Sequence, residues 1–216
     1  MNTSQKGPVA ALFDMDGVIL DTEEGYTQFW GAVGEQMLPD NPTFAADLKG
    51  STLQKIVDRY FGGSSEVMEA LQEGLEAFEA QMDYQYMPGA LSFLQELHEA
   101  GVPTALVTSS NKAKMAHVLK QRPEFNRLFA KILQAEDFQH SKPHPDGYLK
   151  AAEALGVPIE ECVVFEDSRS GLQAGVASGA RVVGLASTLS RDEVAALTEV
   201  VIGDLSECSL ADFRKL

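Results

Sequence analysis

Short apolar runs recur along this chain, and each stops abruptly. Val9 to Phe13 ends at Asp14, and Pro103 to Val107, Cys162 to Phe165, Arg181 to Leu185 and Val200 to Ile202 repeat the pattern. Apolar runs without alternation read as strands buried on both faces, as in parallel sheets. Between them lie helical patterns with start and stop signals. Pro88 to Ala100 opens on Pro, carries Leu91, Leu94 and Leu97 on one face and stops at Gly101. Asn111 caps a helix running to Arg122, which Pro123 ends. Pro145 to Leu155 stops at Gly156, and Ser168 to Ser178 at Gly179. Alternation of this kind predicts an α/β fold, a doubly wound parallel sheet covered by helices on both faces.

One stretch breaks the rhythm. From Ile19 to about Tyr86 the signals are helical, over Thr22 to Met37, Thr52 to Phe61 and Ser65 to Gln85, without a convincing strand. In the last of these Val67, Leu71, Leu75, Phe78 and Met82 share a face. Phe29, Trp30 and Val33 read as the apolar face of the first. The predicted organisation is therefore an α/β core of residues 1–18 and 87–216 with a helical domain, 19–86, inserted into it.

Composition narrows the function. The chain has 216 residues and a net charge of −15. A chain of this length buries roughly 70% of its unfolded surface, without need of disulfides or a structural metal. Residues 19–86 hold 13 acidic and 3 basic residues, so −10 of the charge lies on the insert. Such acidity argues against nucleic acid, whose affinity rests on Lys and Arg, and against an anionic membrane surface. It also sits awkwardly with a phosphorylated substrate. The N-terminus has no apolar signal core, and no apolar stretch approaches the roughly 18–20 residues of a membrane helix. The two cysteines, Cys162 and Cys208, make no disulfide framework. The expected compartment is the cytoplasm.

The chemistry is sought where open parallel sheets hold ligands, at the carboxyl ends of their strands. Asp14 and Asp16 follow the first run, Thr108 and Ser109 the second, and Glu166 and Asp167 the third. Ser141-Lys142-Pro143 lies in a loop between the last two. Carboxylates gathered in one crevice repel unless a cation sits among them. All-oxygen ligation selects a hard cation, and Mg²⁺ suits a few carboxylates completed by a substrate phosphate. A carboxylate there can attack phosphorus, and a second one two residues on can protonate the leaving oxygen and then activate water. Asp14-Met15-Asp16-Gly17 is no calcium loop, because Val18 and Ile19 stand where that template needs an oxygen ligand and a glycine. His140 and His144 cannot share a helix face across Pro143 and are not read as a zinc site.

Taken in order, Asp14-Met15-Asp16-Gly17-Val18-Ile19-Leu20-Asp21-Thr22, Val107-Thr108-Ser109-Ser110, Ser141-Lys142-Pro143 and Phe165-Glu166-Asp167-Ser168 resemble the four motifs of the haloacid dehalogenase superfamily. The nearest subfamily is that of β-phosphoglucomutase and related sugar-phosphate phosphatases, and Leu48-Lys49-Gly50-Ser51-Thr52 resembles its cap specificity loop. The resemblance implies a Rossmann-like core with an inserted helical cap. It implies Asp14 as nucleophile and metal ligand, and Asp16 as general acid/base whose backbone carbonyl also meets Mg²⁺. It implies Thr108 and the Ser109 amide as phosphoryl binders and Lys142 as the neutralising cation. Asp167 would ligate Mg²⁺, with Glu166 doing so directly or through water. Asn111 and Ser51 are candidate substrate neighbours, and both also suit helix capping.

The function expected is an Mg²⁺-dependent phosphatase of small sugar or polyol phosphates. The alternative is a β-phosphoglucomutase interconverting β-glucose 1-phosphate and glucose 6-phosphate. A third reading is a non-catalytic metal-dependent binding protein. A mutase needs a second phosphate site, and basic residues expected of such a cap are thin here. The loop has an apolar residue near Leu53 in place of an Arg, and Tyr26 stands where relatives have His. The expected partner is a small phosphorylated metabolite, with no nucleic acid and no membrane, for a monomer or weak homo-oligomer.

Overall fold

The computed structural model describes residues 7–48 and 53–216. In chain order its strands are β1 (Ala10–Phe13), β2 (Leu20–Asp21), β3 (Gln85–Tyr86), β4 (Thr104–Val107), β5 (Lys131–Leu133), β6 (Cys162–Glu166), β7 (Arg181–Leu185) and β8 (Val200–Ile202). Its helices are α1 (Glu23–Met37), α2 (Phe44–Asp47), α3 (Leu53–Phe61), α4 (Ser65–Gln81), α5 (Ala90–Glu99), α6 (Lys112–Gln121), α7 (Phe125–Leu128), α8 (Asp146–Leu155), α9 (Arg169–Ser178), α10 (Arg191–Ala195) and α11 (Leu210–Phe213).

Six of the strands form one sheet in the order β5-β4-β1-β6-β7-β8, and every pair is parallel. Helices between consecutive strands supply the crossovers that parallel pairing requires. The central strands β1, β4 and β6 are buried along their whole length, which is why they read as unbroken apolar runs. Phe13 on β1 stacks on Phe165 of β6, ring centroids 4.7 Å apart, and Phe93 of α5 meets it edge-on at 6.1 Å. Packing of this kind adds to the area buried and fixes how the two strand ends lie beside each other.

The chain divides into two compact units, residues 1–21 with 84–216, and residues 22–83. In the second unit, Phe44, Leu48 and Ile56 form a small core joined by Trp30 and Val33. Trp30 meets Phe44 edge-on at 6.3 Å, and Phe29 packs on Phe78 at 5.2 Å. Tyr26 donates to the buried Glu79 at 2.8 Å. Among the described residues, no helix is long and apolar enough to cross a membrane.

Two features depart from the sequence pattern. β5 adds an edge strand: it has three residues and an exposed Lys131, too short and too polar for an apolar run to mark it. The helix that starts at Ser65 ends at Gln81 rather than Gln85. Beyond it Gln85 pairs with Asp21 and Tyr86 with Leu20, antiparallel, in a small ladder. Neither half of that ladder is long enough to show alternation, so only the closure of the intervening chain reveals it.

Candidate active site

The site forms where β1, β4 and β6 end. Asp14 directly follows β1, and its N–H donates to Phe165 O at 3.0 Å, so the sheet register holds it. The chain then turns tightly: the N–H groups of Ile19 and Leu20 both reach Met15 O at 2.9 Å, and Gly17 N reaches Leu20 O at 2.8 Å. Gly17 has φ +78, and a Cβ there would lie 2.2 Å from Asp167 Oδ2. The turn therefore needs glycine twice, for its dihedral and for the approach of the Asp167 carboxylate just past β6.

Glu166 closes β6 and is fully buried. Its Oε1 accepts from Lys142 Nζ at 2.6 Å and Tyr148 OH at 2.9 Å. Its Oε2 accepts from Asp167 N at 2.9 Å, Ser168 N at 3.0 Å and Ser168 Oγ at 3.1 Å. Such saturation is what makes a carboxylate tolerable at that depth. Space for it comes from Gly171 on α9, where a Cβ would fall 1.6 Å from Glu166 Oε1. Lys142 also donates to Asp14 Oδ1 at 2.5 Å and to Val107 O at 3.3 Å. One ammonium thus ties the ends of β1, β4 and β6 together. It also lies over the ring of Tyr148, 5.2 Å from its centroid.

Burial sets the protonation pattern. It raises the Asp14 carboxyl to about 7, with Lys142 pulling it down and Glu166 and Asp16 pushing it up. Burial, then Glu166 and Asp14, hold Asp167 well above the ordinary carboxylate range. Burial works against the Lys142 ammonium, but Asp14 and Glu166 more than offset it and keep the ammonium charged. Asp167 accepts a short hydrogen bond from Thr188 on Oδ2, while its buried Oδ1 has no hydrogen-bond partner among the described residues.

That orphaned oxygen tests the fit of a metal. Asp14, Glu166 and Asp167 each offer a carboxylate oxygen, all within 4.8 Å of one another. A buried carboxylate oxygen without a donor, in a cluster whose ligand atoms are all oxygen, suits a hard divalent cation. The residues present fit Mg²⁺.

Asp16 points to a different set of partners. Lys114 Nζ lies 2.7 Å from its Oδ1 and 2.8 Å from its Oδ2, and Ser110 Oγ donates to Oδ2 at 3.1 Å. Thr108 is buried just past β4, and its hydroxyl accepts from Ser110 N at 3.0 Å, shaping this turn. Ser109 stands exposed beside it. Asn111 caps α6, its Oδ1 accepting from Lys114 N at 2.9 Å, so its side-chain acceptor is engaged locally. Ser51, with Lys49, Gly50 and Thr52, lies outside the described residues.

Lys114, Tyr148 and Thr188 are not singled out by the sequence motifs. For two of them a signal exists. Lys114 precedes Val118 by one turn and shares the buried face of α6 with it and Met115. Tyr148 shares the buried face of α8 with Ala151 and Ala152. A charge or hydroxyl on an apolar helix face asks for a buried partner. Thr188 carries no such mark.

Chemically, the arrangement offers a buried carboxylate beside a fixed ammonium and among carboxylates that could hold a cation, with a second carboxylate held apart two residues on. The family model for haloacid dehalogenase-like hydrolases matches residues 9–179. The chain is 32% identical over 219 residues to the Probable pseudouridine-5'-phosphatase of Drosophila melanogaster, covering 94% of this chain and 90% of that one. It is 31% identical over 185 residues to Hexitol phosphatase A of Escherichia coli (strain K12), covering 80% of each. Its fold is shared with a HAD hydrolase, family IA, variant 3, of Entamoeba histolytica HM-1:IMSS, with TM-score 0.84 and 23% identity over 95% of this chain and 97% of that one.

Proposed function

The chain belongs to the haloacid dehalogenase-like hydrolases, and within that family we propose that it is an Mg²⁺-dependent phosphatase of small sugar or polyol phosphates, working through an aspartyl-phosphate on Asp14. The observation that carries the reading is the contact of Lys142 with both Asp14 and Glu166 beside the partnerless oxygen of Asp167. Relatives named for hexitol and pseudouridine phosphates support a polyhydroxylated leaving group.

The residues that would hold Mg²⁺ are Asp14, Asp167 and the backbone carbonyl of Asp16. Glu166 has both oxygens engaged by protein donors, which favours a contact through water. When bound, the ion supplies positive charge to the phosphoryl oxygens and relieves the crowding of carboxylates.

The chain's own residues then account for both half-reactions. Asp14 attacks phosphorus; its Oδ–P bond forms as the ester P–O bond breaks. Asp16 gives a proton to the leaving oxygen. Lys142, the Thr108 hydroxyl and the Ser109 amide hold phosphoryl oxygens as charge builds on them. In the second half a water attacks phosphorus, the Asp14–P bond breaks, and Asp16 takes the water's proton, returning to its starting state. A phosphomutase would put a second substrate hydroxyl in the place of that water.

The test is phosphate release with Mg²⁺ across a panel of sugar and polyol phosphates, run beside an isomerisation assay on β-glucose 1-phosphate. Release without isomerisation is expected; bisphosphate-stimulated isomerisation without release would select the mutase. Asp14→Asn should abolish turnover, and an active Asp14→Asn protein would sink the mechanism.

A further inference from the structure

The Lys114–Asp16 ion pair lies outside the roles assigned above. The Lys114 side chain is 5% exposed, and its ammonium spans both oxygens of Asp16. Ser110, in the turn between β4 and α6, adds a third hydrogen bond. One ammonium set between both oxygens fixes the direction of the carboxyl, and the Ser110 hydroxyl on Oδ2 sets its plane. The clamp is itself braced: the Asn111 cap holds the Lys114 backbone N–H, and Met115 and Val118 bury the adjoining face of α6. A Met at this position would pack as well without burying an ammonium. A structural purpose alone therefore leaves the charge unexplained.

Asp16 has to meet two different protons, one bound for the leaving oxygen and one coming from the attacking water. Both transfers need its carboxyl within hydrogen-bond reach of a moving partner. An aspartate in a tight turn has rotamers that miss that reach. We propose that Lys114, with Ser110, is a positioning residue that holds the Asp16 carboxyl where proton transfer to the leaving oxygen and from water takes place. The inference rests on the phosphatase reading.

It is tested on the Mg²⁺-loaded enzyme with p-nitrophenyl phosphate and a polyol phosphate. p-Nitrophenolate is stable as an anion and leaves without a proton from Asp16, whereas water attack still needs Asp16. Lys114→Met should therefore release a burst of p-nitrophenol near one equivalent at the wild-type rate, followed by a steady state slowed about 10²-fold. On the polyol phosphate no burst is expected and turnover falls by a similar factor. In an Asp16→Asn background Lys114→Met should add no further loss, because its effect passes through Asp16. Burst and steady state slowing together, or the same loss recurring in the Asp16→Asn background, would overturn the inference. If Lys114→Met does not fold, Ser110→Ala reads the same split at smaller size, and wild-type behaviour of both its phases would overturn it equally. A wild-type chain inert on both substrates would instead overturn the phosphatase reading, so the two failures are distinguishable.

Discussion

Lys142 Nζ meets Asp14 Oδ1 at 2.5 Å inside the sheet's carboxyl end. The same ammonium neutralises Glu166 at 2.6 Å, so its removal leaves two carboxylates facing each other without a counter-charge. Breaking a buried pair from one side is strongly destabilising, by about 3–5 kcal/mol. Lys142→Met should cost stability on that scale in chemical denaturation and lower turnover by about 10²–10³-fold, the loss seen when one donor to a developing charge is removed. The double variant Lys142→Met/Asp14→Asn should be more stable than Lys142→Met alone, because the unpaired charge is gone. A double variant no more stable than the single one would mean that the pair is not the source of the loss.

Two glycines give opposite expectations for the same substitution. Gly171→Ala would drive a Cβ to within 1.6 Å of Glu166 Oε1. The carboxylate is held by five donors and cannot retreat without breaking some of them. Turnover and stability should both fall, the latter by about 1–3 kcal/mol as for overpacking of a dense core. Gly31 lies within α1, with nothing within 4 Å of its would-be Cβ. Gly31→Ala should stabilise by about 0.5–1 kcal/mol through helix propensity, with activity unchanged. Thermal melts of the two variants beside wild type check both directions.

The legible part of this molecule is what strand burial writes directly into sequence. β1, β4 and β6 are covered on both faces, so apart from Thr104 at the start of β4 and Glu166 at the end of β6 their residues are apolar. The polar residues that end them, Asp14, Thr108 and Glu166-Asp167, stand out by contrast. What escapes is whatever depends on distant closure. The β2–β3 ladder joins Leu20 to Tyr86, and nothing local marks either residue as paired. β5 sits at an edge, where partial exposure removes the apolar signal. Lys114 and Tyr148 stand on apolar helix faces and so ask for buried partners, but only the fold shows that those partners are Asp16 and Glu166.

Protonation links the carboxylate cluster to stability. The Asp14 carboxyl rises from 3.8 to about 7 in the folded protein, chiefly through burial. A carboxyl raised on folding stabilises the native state only while it stays protonated there. Its contribution is fully present below the unfolded value and is lost as pH rises through the folded one. Asp167 is shifted the same way. The metal-free protein should therefore lose stability as pH climbs from about 4 to about 7. Mg²⁺ would bind the ionised form, so the stabilisation it gives should grow over the same window. Melting temperatures with chelator and with Mg²⁺, taken across this range, should diverge as pH rises. Curves that stay parallel would show that ionisation of these carboxyls is not coupled to folding.

Charge also acts on the substrate at a distance. The chain carries −15 overall, and −10 of it falls within residues 19–86. A dianionic phosphate approaching such a protein meets net repulsion, and only at close range do Lys142 and the strand-end donors act on it. Salt separates these two ranges. The Debye length grows from about 8 Å near physiological ionic strength to about 30 Å at 0.01 M, so lowering salt exposes the long-range field. Enzymes that steer anionic substrates with a positive field gain about 10–10³-fold in association rate under that change. Here the exposed field has the opposite sign, so kcat/KM on a sugar or polyol phosphate should stay level or fall as salt is reduced at fixed Mg²⁺. The ion pairs of Lys142 and Lys114, at 2.5–2.7 Å, lie far inside any screening length, so kcat should hardly respond. A steep rise of kcat/KM at low salt would require a positive approach path to the site, contrary to the charge distribution of the sequence.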